Sequence, residues 1–164
     1  MNALDRTWLL ALSDRRAPRW LDRTLRLTTH LGGFTATAVV SAVLLIIPAS
    51  RKLGFAMVVA NAVSHLIVQA LKRSVVRPRP DNVGVLPLTL NPDAFSFPSG
   101  HACAAMALAV TAICDSPLSG LPALGLALLV GASRVYLRVH YVTDVVVGQL
   151  VGAATALLVS LALR

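Results

Sequence analysis

The sequence predicts an all-α fold: an integral-membrane helical bundle of about five spans, preceded by amphipathic helices at the N-terminus. The chain of 164 residues is 56% hydrophobic and 13% charged, and its mean hydropathy is +0.73. A soluble domain of this length cannot bury so much apolar surface, whereas lipid solvates it. Five apolar segments supply the predicted helices, and they are rich in the small residues that close helix packing in lipid favours.

The first 29 residues differ from the rest because arginines alternate with apolar side chains. Trp20, Leu21 and Leu25 share one helical face, and Arg23 and Arg26 lie on the opposite face. This pattern is typical of helices that lie in the plane of the membrane interface. A soluble cap packed on the bundle is the alternative interpretation. A cleaved signal peptide is not expected, because charged residues interrupt the apolar run.

Residues 30–164 are expected to form the bundle of a single domain that covers residues 1–164. Its apolar segments are residues 33–48, 53–71, 102–114, 121–135 and 145–163. The second and fifth approach the roughly 20 residues that a spanning helix needs, and the third and fourth are shorter. Five spans would place the proline-rich loop of residues 72–100 and the connection 136–143 on the same side of the membrane.

The net charge of +8 arises from 15 Lys and Arg residues against 7 acidic residues, all of them Asp. Such a membrane protein is suited to anionic headgroups or anionic substrates. Nucleic acid is not an expected partner, because the chain has no soluble basic domain to bind it. Cys103 and Cys114 would lie about 16 Å apart along one helix, which predicts free thiols that act as apolar fillers.

The first charged cluster runs from Lys72, at the end of the second apolar segment, to Pro80. A positive flank that anchors a helix end is the simpler interpretation of this cluster alone. However, Pro78 and Pro80 fix the backbone around Arg79, which a charge anchor does not require. Arg73, Arg77 and Arg138 would either assist substrate binding or contact lipid headgroups.

The second cluster is Phe97-Pro98-Ser99-Gly100-His101, at the start of the third apolar segment. Ser99 is a good N-cap, and the free N–H groups of the first helical turn form an anion site. His101 would sit at the mouth of that site. An interfacial histidine satisfied by water is the alternative.

The third cluster contains Arg134, His140 and Asp144. A guanidinium near the end of an apolar span is costly without an anionic partner, so Arg134 is expected to be functional. His140 and Asp144 would share one face if the segment is helical. Asp144 would then accept a hydrogen bond from one ring nitrogen and leave the other nitrogen free as a nucleophile or base. An ordinary surface pair is the alternative.

The three clusters together predict a site for a phosphoryl group. Fixed cations and a helix N-terminus would stabilise its in-line transition state, while one histidine attacks and the other protonates the leaving oxygen. A metal site is not expected, because the clusters contain a single carboxylate and hard metal ions are usually bound by several carboxylate ligands. Asn61, His65 and Gln69 fall near the same helical face as Lys72 and suggest a polar track toward the site. Interhelical hydrogen bonding is the preferred interpretation of Asn61 and His65.

These clusters resemble the three signatures of the type 2 phosphatidic acid phosphatase superfamily, which includes bacterial membrane lipid phosphatases, glucose-6-phosphatase and vanadium-dependent haloperoxidases. The matching residues are Lys72-x6-Arg79-Pro80, Pro98-Ser99-Gly100-His101 and Ser133-Arg134-x5-His140-x3-Asp144. Each motif alone is a weak to moderate signal, but the ordered triple within residues 72–144 is highly specific.

The resemblance implies a role for each matched residue. His140 would form a phosphohistidine intermediate, Asp144 would orient it, and His101 would be the general acid toward the leaving alkoxide. The phosphoryl oxygens would be held by five residues: Lys72, Arg79, Ser99, Gly100 and Arg134. No metal or other cofactor is expected, since family members work without metal.

The resemblance also implies a lipid phosphate substrate that enters from the bilayer, of the polyprenyl pyrophosphate, phosphatidylglycerophosphate or phosphatidic acid type. A lipid-to-lipid phosphotransferase and a non-catalytic protein that binds anionic lipid are the alternatives. The expected location is a cell membrane, crossed several times. The N-terminal arginines favour a cytoplasmic active site by the positive-inside rule, whereas the best-known bacterial relatives face outward, so the side is left open. The sequence predicts no oligomeric state.

Overall fold

The computed structural model describes residues 3–13, 18–83, 85–89 and 93–164, and the regular structure in these ranges is entirely helical. The seven α-helices described are α1 (Ala3–Ser13), α2 (Arg19–Thr29), α3 (Phe34–Ile46), α4 (Arg51–Val75), α5 (Gly100–Asp115), α6 (Pro117–Tyr136) and α7 (Val142–Ala162). Short 3-10 turns occupy His30–Gly32, Pro48–Ser50 and Pro80–Val83. The all-α prediction is confirmed, and α3 to α7 coincide with the five apolar segments.

Two helices of the described ranges are long and apolar enough to cross a membrane: α4 with its preceding turn, residues Pro48–Val75, and α7. The α2 and α3 segments are bent by 56° relative to each other, and they make a third candidate if the pair is one broken span. α5 and α6 are apolar but shorter. Helix α2 buries Leu25, Thr28 and Thr29 and packs against α6, so it contributes to the bundle as well as presenting its arginines outward.

Helix α5 is the centre of the bundle and packs against α7, α6 and α4. Its buried residues are mostly alanines, and Ala105, Met106 and Ala109 form a cluster with Ala127 and Val130 of α6. The outer surface, in contrast, exposes many large apolar side chains. A core of small residues and an apolar outer surface are expected where lipid surrounds the bundle in place of water, because helix association then depends on close packing of the backbones.

Two glycines of α7 allow this helix to approach α5 closely. A Cβ atom on Gly148 would lie 2.5 Å from the backbone oxygen of Ser99, and a Cβ atom on Gly152 would collide with the backbone oxygen of Cys103. Their spacing is the small-xxx-small pattern of closely packed membrane helices. The contact also fixes the start of α5 against the start of α7, where the second and third sequence motifs lie. Cys103 and Cys114 are both free thiols, as predicted.

Candidate active site

A cavity of about 220 Å³ lies where the end of α4, the start of α5 and the loop before α7 meet. Five of the eight residues that the sequence proposed for the site line this cavity: Lys72, Arg79, Gly100, His101 and His140. The structure therefore brings residues from all three motifs to one place. A backbone hydrogen bond from the N–H of Ser99 to the carbonyl oxygen of Asp144, 2.9 Å long, joins the second motif directly to the third.

His140 lies in the connection between α6 and α7, because α7 begins only at Val142. His140 and Asp144 therefore do not share a helical face, since the condition for it, a helix that includes both residues, is not met. Asp144 instead caps α7, with its Oδ2 accepting the backbone N–H of Tyr141 at 2.8 Å. The Nδ1 atom of His140 is 3.6 Å from this Oδ2, which is within ion-pair range but too long for a hydrogen bond.

The other ring nitrogen of His140, Nε2, lies 3.3 Å from the Nη1 atom of Arg79. A guanidinium can only donate, so Nε2 carries the lone pair and Nδ1 carries the proton, directed toward Asp144. Burial lowers the pKa of His140 to about 4, with the charges of Arg79 and Arg134 adding to the shift and the carboxylate of Asp144 opposing it. The imidazole is therefore neutral at physiological pH, with an unprotonated nitrogen at the cavity.

Asp144 is fully buried and accepts several hydrogen bonds. Its Oδ1 accepts from the Nη1 atom of Arg77 at 2.7 Å, and its Oδ2 also accepts from the hydroxyl of Ser96. Arg77 pairs in turn with Asp5 of α1 at 2.6 Å, and its guanidinium lies 4.3 Å from the ring centre of Tyr141. Arg77 thus supports Asp144, whereas the sequence interpretation had assigned it to substrate or headgroups.

Two of the expected phosphate-binding cations share a carboxylate partner. Asp93 Oδ2 is 2.7 Å from the Lys72 ammonium, and Asp93 Oδ1 is 2.7 Å from Nη2 of Arg79. The backbone oxygen of Asp93 accepts Nε of Arg79 at 2.8 Å, and the backbone oxygen of Val139 accepts Nη1 at 2.6 Å. Partial burial by itself raises the pKa of Asp93, but the hydrogen bonds from Lys72 and Arg79 outweigh it, and the pKa lies below its ordinary value. Sequence reasoning missed Asp93, since nothing in the proline-rich loop shows which cation it meets.

Arg134 is buried on α6, and part of its guanidinium has no hydrogen-bond partner in the part of the chain that the structure describes. Its Nη1 donates to the hydroxyl of Thr29 on α2 at 2.8 Å. Its Nε and Nη2 atoms are buried and have no hydrogen-bond partner among the described residues. A buried guanidinium with unsatisfied donors is expected to have an anion for a partner, which agrees with the role expected from its position in an apolar segment.

The start of α5 forms the opposite wall of the cavity. Ser99 occupies the N-cap position as predicted, but its side chain makes no capping bond, and its Oγ is buried without a partner in the described ranges. A Cβ atom on Gly100 would meet only Val68, at 3.8 Å, so the backbone here is open toward the cavity. The first-turn N–H groups and the hydroxyl of Ser99 are therefore free to donate to an anion.

His101 packs against the Gly32–Gly33 pair that joins α2 to α3. A Cβ atom on Gly32 would lie 2.6 Å from the backbone oxygen of His101, and one on Gly33 would lie 3.7 Å from its Nε2. Gly32 therefore needs the smallest residue to let the turn between α2 and α3 pack on the His101 backbone, whereas a Cβ at Gly33 would make only an ordinary contact with the His101 ring. Sequence reasoning did not assign Gly32 and Gly33 to the site, although two consecutive glycines before an apolar segment are a signal of a close approach.

The cavity is lined by two histidines, two cations and the start of α5, in an all-α bundle of apolar helices, and this is the arrangement expected of a membrane protein with a site for a phosphoryl-sized anion. Residues 49–164 match the model of the PAP2 superfamily, and the chain belongs to that family. The sequence motifs and the match to the family model thus point to the same superfamily.

Curated relatives and solved structures agree with this membership. The chain is 37% identical to an undecaprenyl-diphosphatase of Sulfolobus acidocaldarius over 119 residues, covering 70% of this chain and 57% of that protein. It is 35% identical to phosphatidylglycerophosphatase B of Bacillus subtilis over 151 residues, covering 81% and 70%. The crystal structure of a transmembrane PAP2 type phosphatidylglycerolphosphate phosphatase from Bacillus subtilis superposes with a TM-score of 0.78 at 30% identity, over 94% of this chain and 82% of that one. The crystal structure of Aquifex aeolicus LpxE gives a TM-score of 0.85 at 25% identity, over 98% and 96%.

Proposed function

We propose that this protein is a metal-independent membrane lipid phosphatase that hydrolyses a phosphomonoester or pyrophosphate of a lipid through a phosphohistidine intermediate. The observation that carries the proposal is the Nε2 atom of His140, which is unprotonated and lies at a cavity shared with His101 and two cations. The names of the relatives support a lipid phosphate as the class of substrate.

The proposed reaction begins when the phosphoryl oxygens bind the cations and the N-terminus of α5. The donors are Lys72, Arg79, Arg134, the hydroxyl of Ser99 and the backbone of Gly100. The Nε2 atom of His140 attacks phosphorus, a nitrogen–phosphorus bond forms, and the bond from phosphorus to the lipid oxygen breaks. His101 gives its proton to the departing oxygen and then takes one from water, which attacks the phosphohistidine and releases phosphate.

Asp144 acts through His140 in this scheme and does not touch the substrate. The ring becomes positively charged when Nε2 bonds to phosphorus, and the Asp144 carboxylate 3.6 Å from Nδ1 stabilises that charge. Asp93 has to release or share Lys72 and Arg79 when the phosphoryl group arrives, because both cations are paired with it. A lipid hydroxyl in place of water would make the same site a phosphotransferase.

The test uses purified full-length protein, a panel of lipid phosphates and a measurement of free phosphate, with and without a chelator. Release should survive the chelator and disappear in His140→Ala. His101→Ala should lose activity on lipid alkyl phosphates but keep formation of the phosphoenzyme from p-nitrophenyl phosphate, whose leaving group needs no proton. Phosphate release that persists in His140→Ala, or that the chelator abolishes, would overturn the proposal. If the phosphate of a labelled substrate appears only on a second lipid and not as free phosphate, the protein is a phosphotransferase.

A further inference from the structure

A second, apolar groove of about 390 Å³ lies between α3 and α4. Ala38 and Val58 belong to its apolar wall. Three residues, Phe34, Asn61 and His65, line both this groove and the active-site cavity. The groove is therefore continuous with the phosphoryl site, and a hydrocarbon chain attached to a bound phosphate has a direct path into it.

The path from the phosphoryl site to the groove is lined by polar side chains of α4. Gln69, His65 and Asn61 precede Lys72 by three, seven and eleven residues and line the same cavity. At 1.5 Å per residue they lie about 4.5, about 10 and about 16 Å from Lys72 along the helix axis. The strip of Gln69, His65 and Asn61 thus occupies the stretch between the phosphate and the apolar groove.

The strip presents hydrogen-bond donors to this path. Asn61 donates across to the hydroxyl of Thr37 on α3 at 3.2 Å, as the sequence interpretation preferred. The amide nitrogen of Gln69 lies 3.3 Å from Nε2 of His65. An amide nitrogen can only donate, so Nε2 accepts and the proton of His65 is on Nδ1. That N–H and the second N–H of Gln69 are donors on the surface of a candidate spanning helix, where polar groups are costly without a partner.

The chemistry of the lipid decides whether these donors are satisfied. In a polyprenyl phosphate the hydrocarbon begins at the phosphate ester, so the donors of Gln69 and His65 would face an apolar chain, which costs free energy. In a diacylglycerol phosphate, ester carbonyl oxygens lie a few bonds from the phosphorus and can accept from both residues. Resting on the proposed function, we infer that the strip binds the ester groups of a glycerophospholipid phosphomonoester and that the α3–α4 groove holds an acyl chain.

The inference is tested with three phosphomonoesters: phosphatidic acid, its dialkyl ether analogue without carbonyl oxygens, and a polyprenyl phosphate. The wild-type protein should prefer the ester over the ether lipid in kcat/KM. The double variant His65→Leu/Gln69→Leu should lose that preference, by roughly twofold to tenfold for each hydrogen bond removed, with little change on the ether and polyprenyl substrates.

The matched control is Gln149→Leu, the same chemical change on α7, where the amide donates to the backbone oxygen of Ala127 at 3.3 Å. It should keep the ester preference. A variant His65→Gln, which retains a donor, should recover part of it. Equal rates on ester and ether lipids, a preference for the polyprenyl phosphate, or an equal loss on all three substrates in the double variant would overturn the inference. The proposed function would survive those results, because it fails only if His140 is dispensable, if a chelator abolishes phosphate release, or if no lipid phosphate is hydrolysed.

Discussion

Replacing Asp144 by Asn removes one buried charge and keeps the shape of the side chain. In the wild-type protein the two carboxylate oxygens accept from Arg77, Ser96 and the backbone of Tyr141. An amide offers one accepting oxygen, so at least one of these donors would meet an N–H group. Removing one partner of a buried ion pair costs about 3–5 kcal/mol. At about 2–4 °C per kcal/mol for a chain of this size, the melting temperature in detergent should fall by roughly 6–20 °C.

The effect on the rate follows from the distance between Asp144 and His140. A unit charge on the ring and the carboxylate, 3.6 Å apart, attract each other by about 4–5 kcal/mol at an effective dielectric constant near 20. Each 1.36 kcal/mol is a tenfold change in rate, so Asp144→Asn should slow turnover by about three orders of magnitude. The assay is phosphate release at a temperature below the melting points of all variants.

Asp5→Asn is the matched control, because Asp5 also pairs with Arg77 and accepts from Thr143, but it does not contact His140. It should lower the melting temperature and leave the rate within about threefold of wild type. If Asp144→Asn keeps a rate within tenfold of wild type, or if Asp5→Asn slows turnover as much, then the carboxylate does not act on the ring as described.

Three further results are expected. Gly152→Leu should destabilise the protein by about 1–3 kcal/mol, because the added side chain meets a backbone carbonyl. Gly125→Ala should not destabilise it, because nothing lies within 4 Å of the new Cβ atom. Thermal unfolding of the two variants compares these effects. The pKa of His140 is lowered from 6.5 to about 4, so the unfolded chain binds a proton in this range before the folded protein does. The free energy of unfolding of the wild-type protein should therefore fall by roughly 3 kcal/mol relative to that of His140→Asn between pH 6.5 and pH 4, as measured in unfolding titrations. A difference in free energy of unfolding that stays constant with pH would contradict the lowered pKa. Asp93→Asn should strengthen inhibition by vanadate about tenfold, because it frees two cations; weaker inhibition would show that Asp93 instead holds them in place.

The sequence predicted the features that depend on local pattern. Apolar runs located α3 to α7, and motif spacing located Lys72, His101 and His140, which do line one cavity. The fifth apolar segment was expected from residue 145, and α7 begins three residues earlier, at Val142, where the Asp144 side chain caps it.

The partners of the motif residues were not predictable in the same way. Asp93 and Asp5 are ordinary aspartates in the sequence, and only the folded chain shows that one bridges two cations and the other supports Arg77. Such contacts join residues far apart in the chain, so they leave no period or spacing to detect. The same holds for Gly32, whose need for a small side chain comes from the His101 backbone packed beneath it.

The ion pair between Asp5 and Arg77 gives the first helix a role in the architecture of the active site. Helix α1 carries the second carboxylate that holds Arg77 in place, so trimming the chain ahead of Pro18 would leave Arg77 with Asp144 as its remaining carboxylate partner among the described residues. The shortened protein should unfold at a lower temperature, because Arg77 would lose one of these two carboxylate partners. Tags and fusions are therefore better placed after Arg164 than before Ala3.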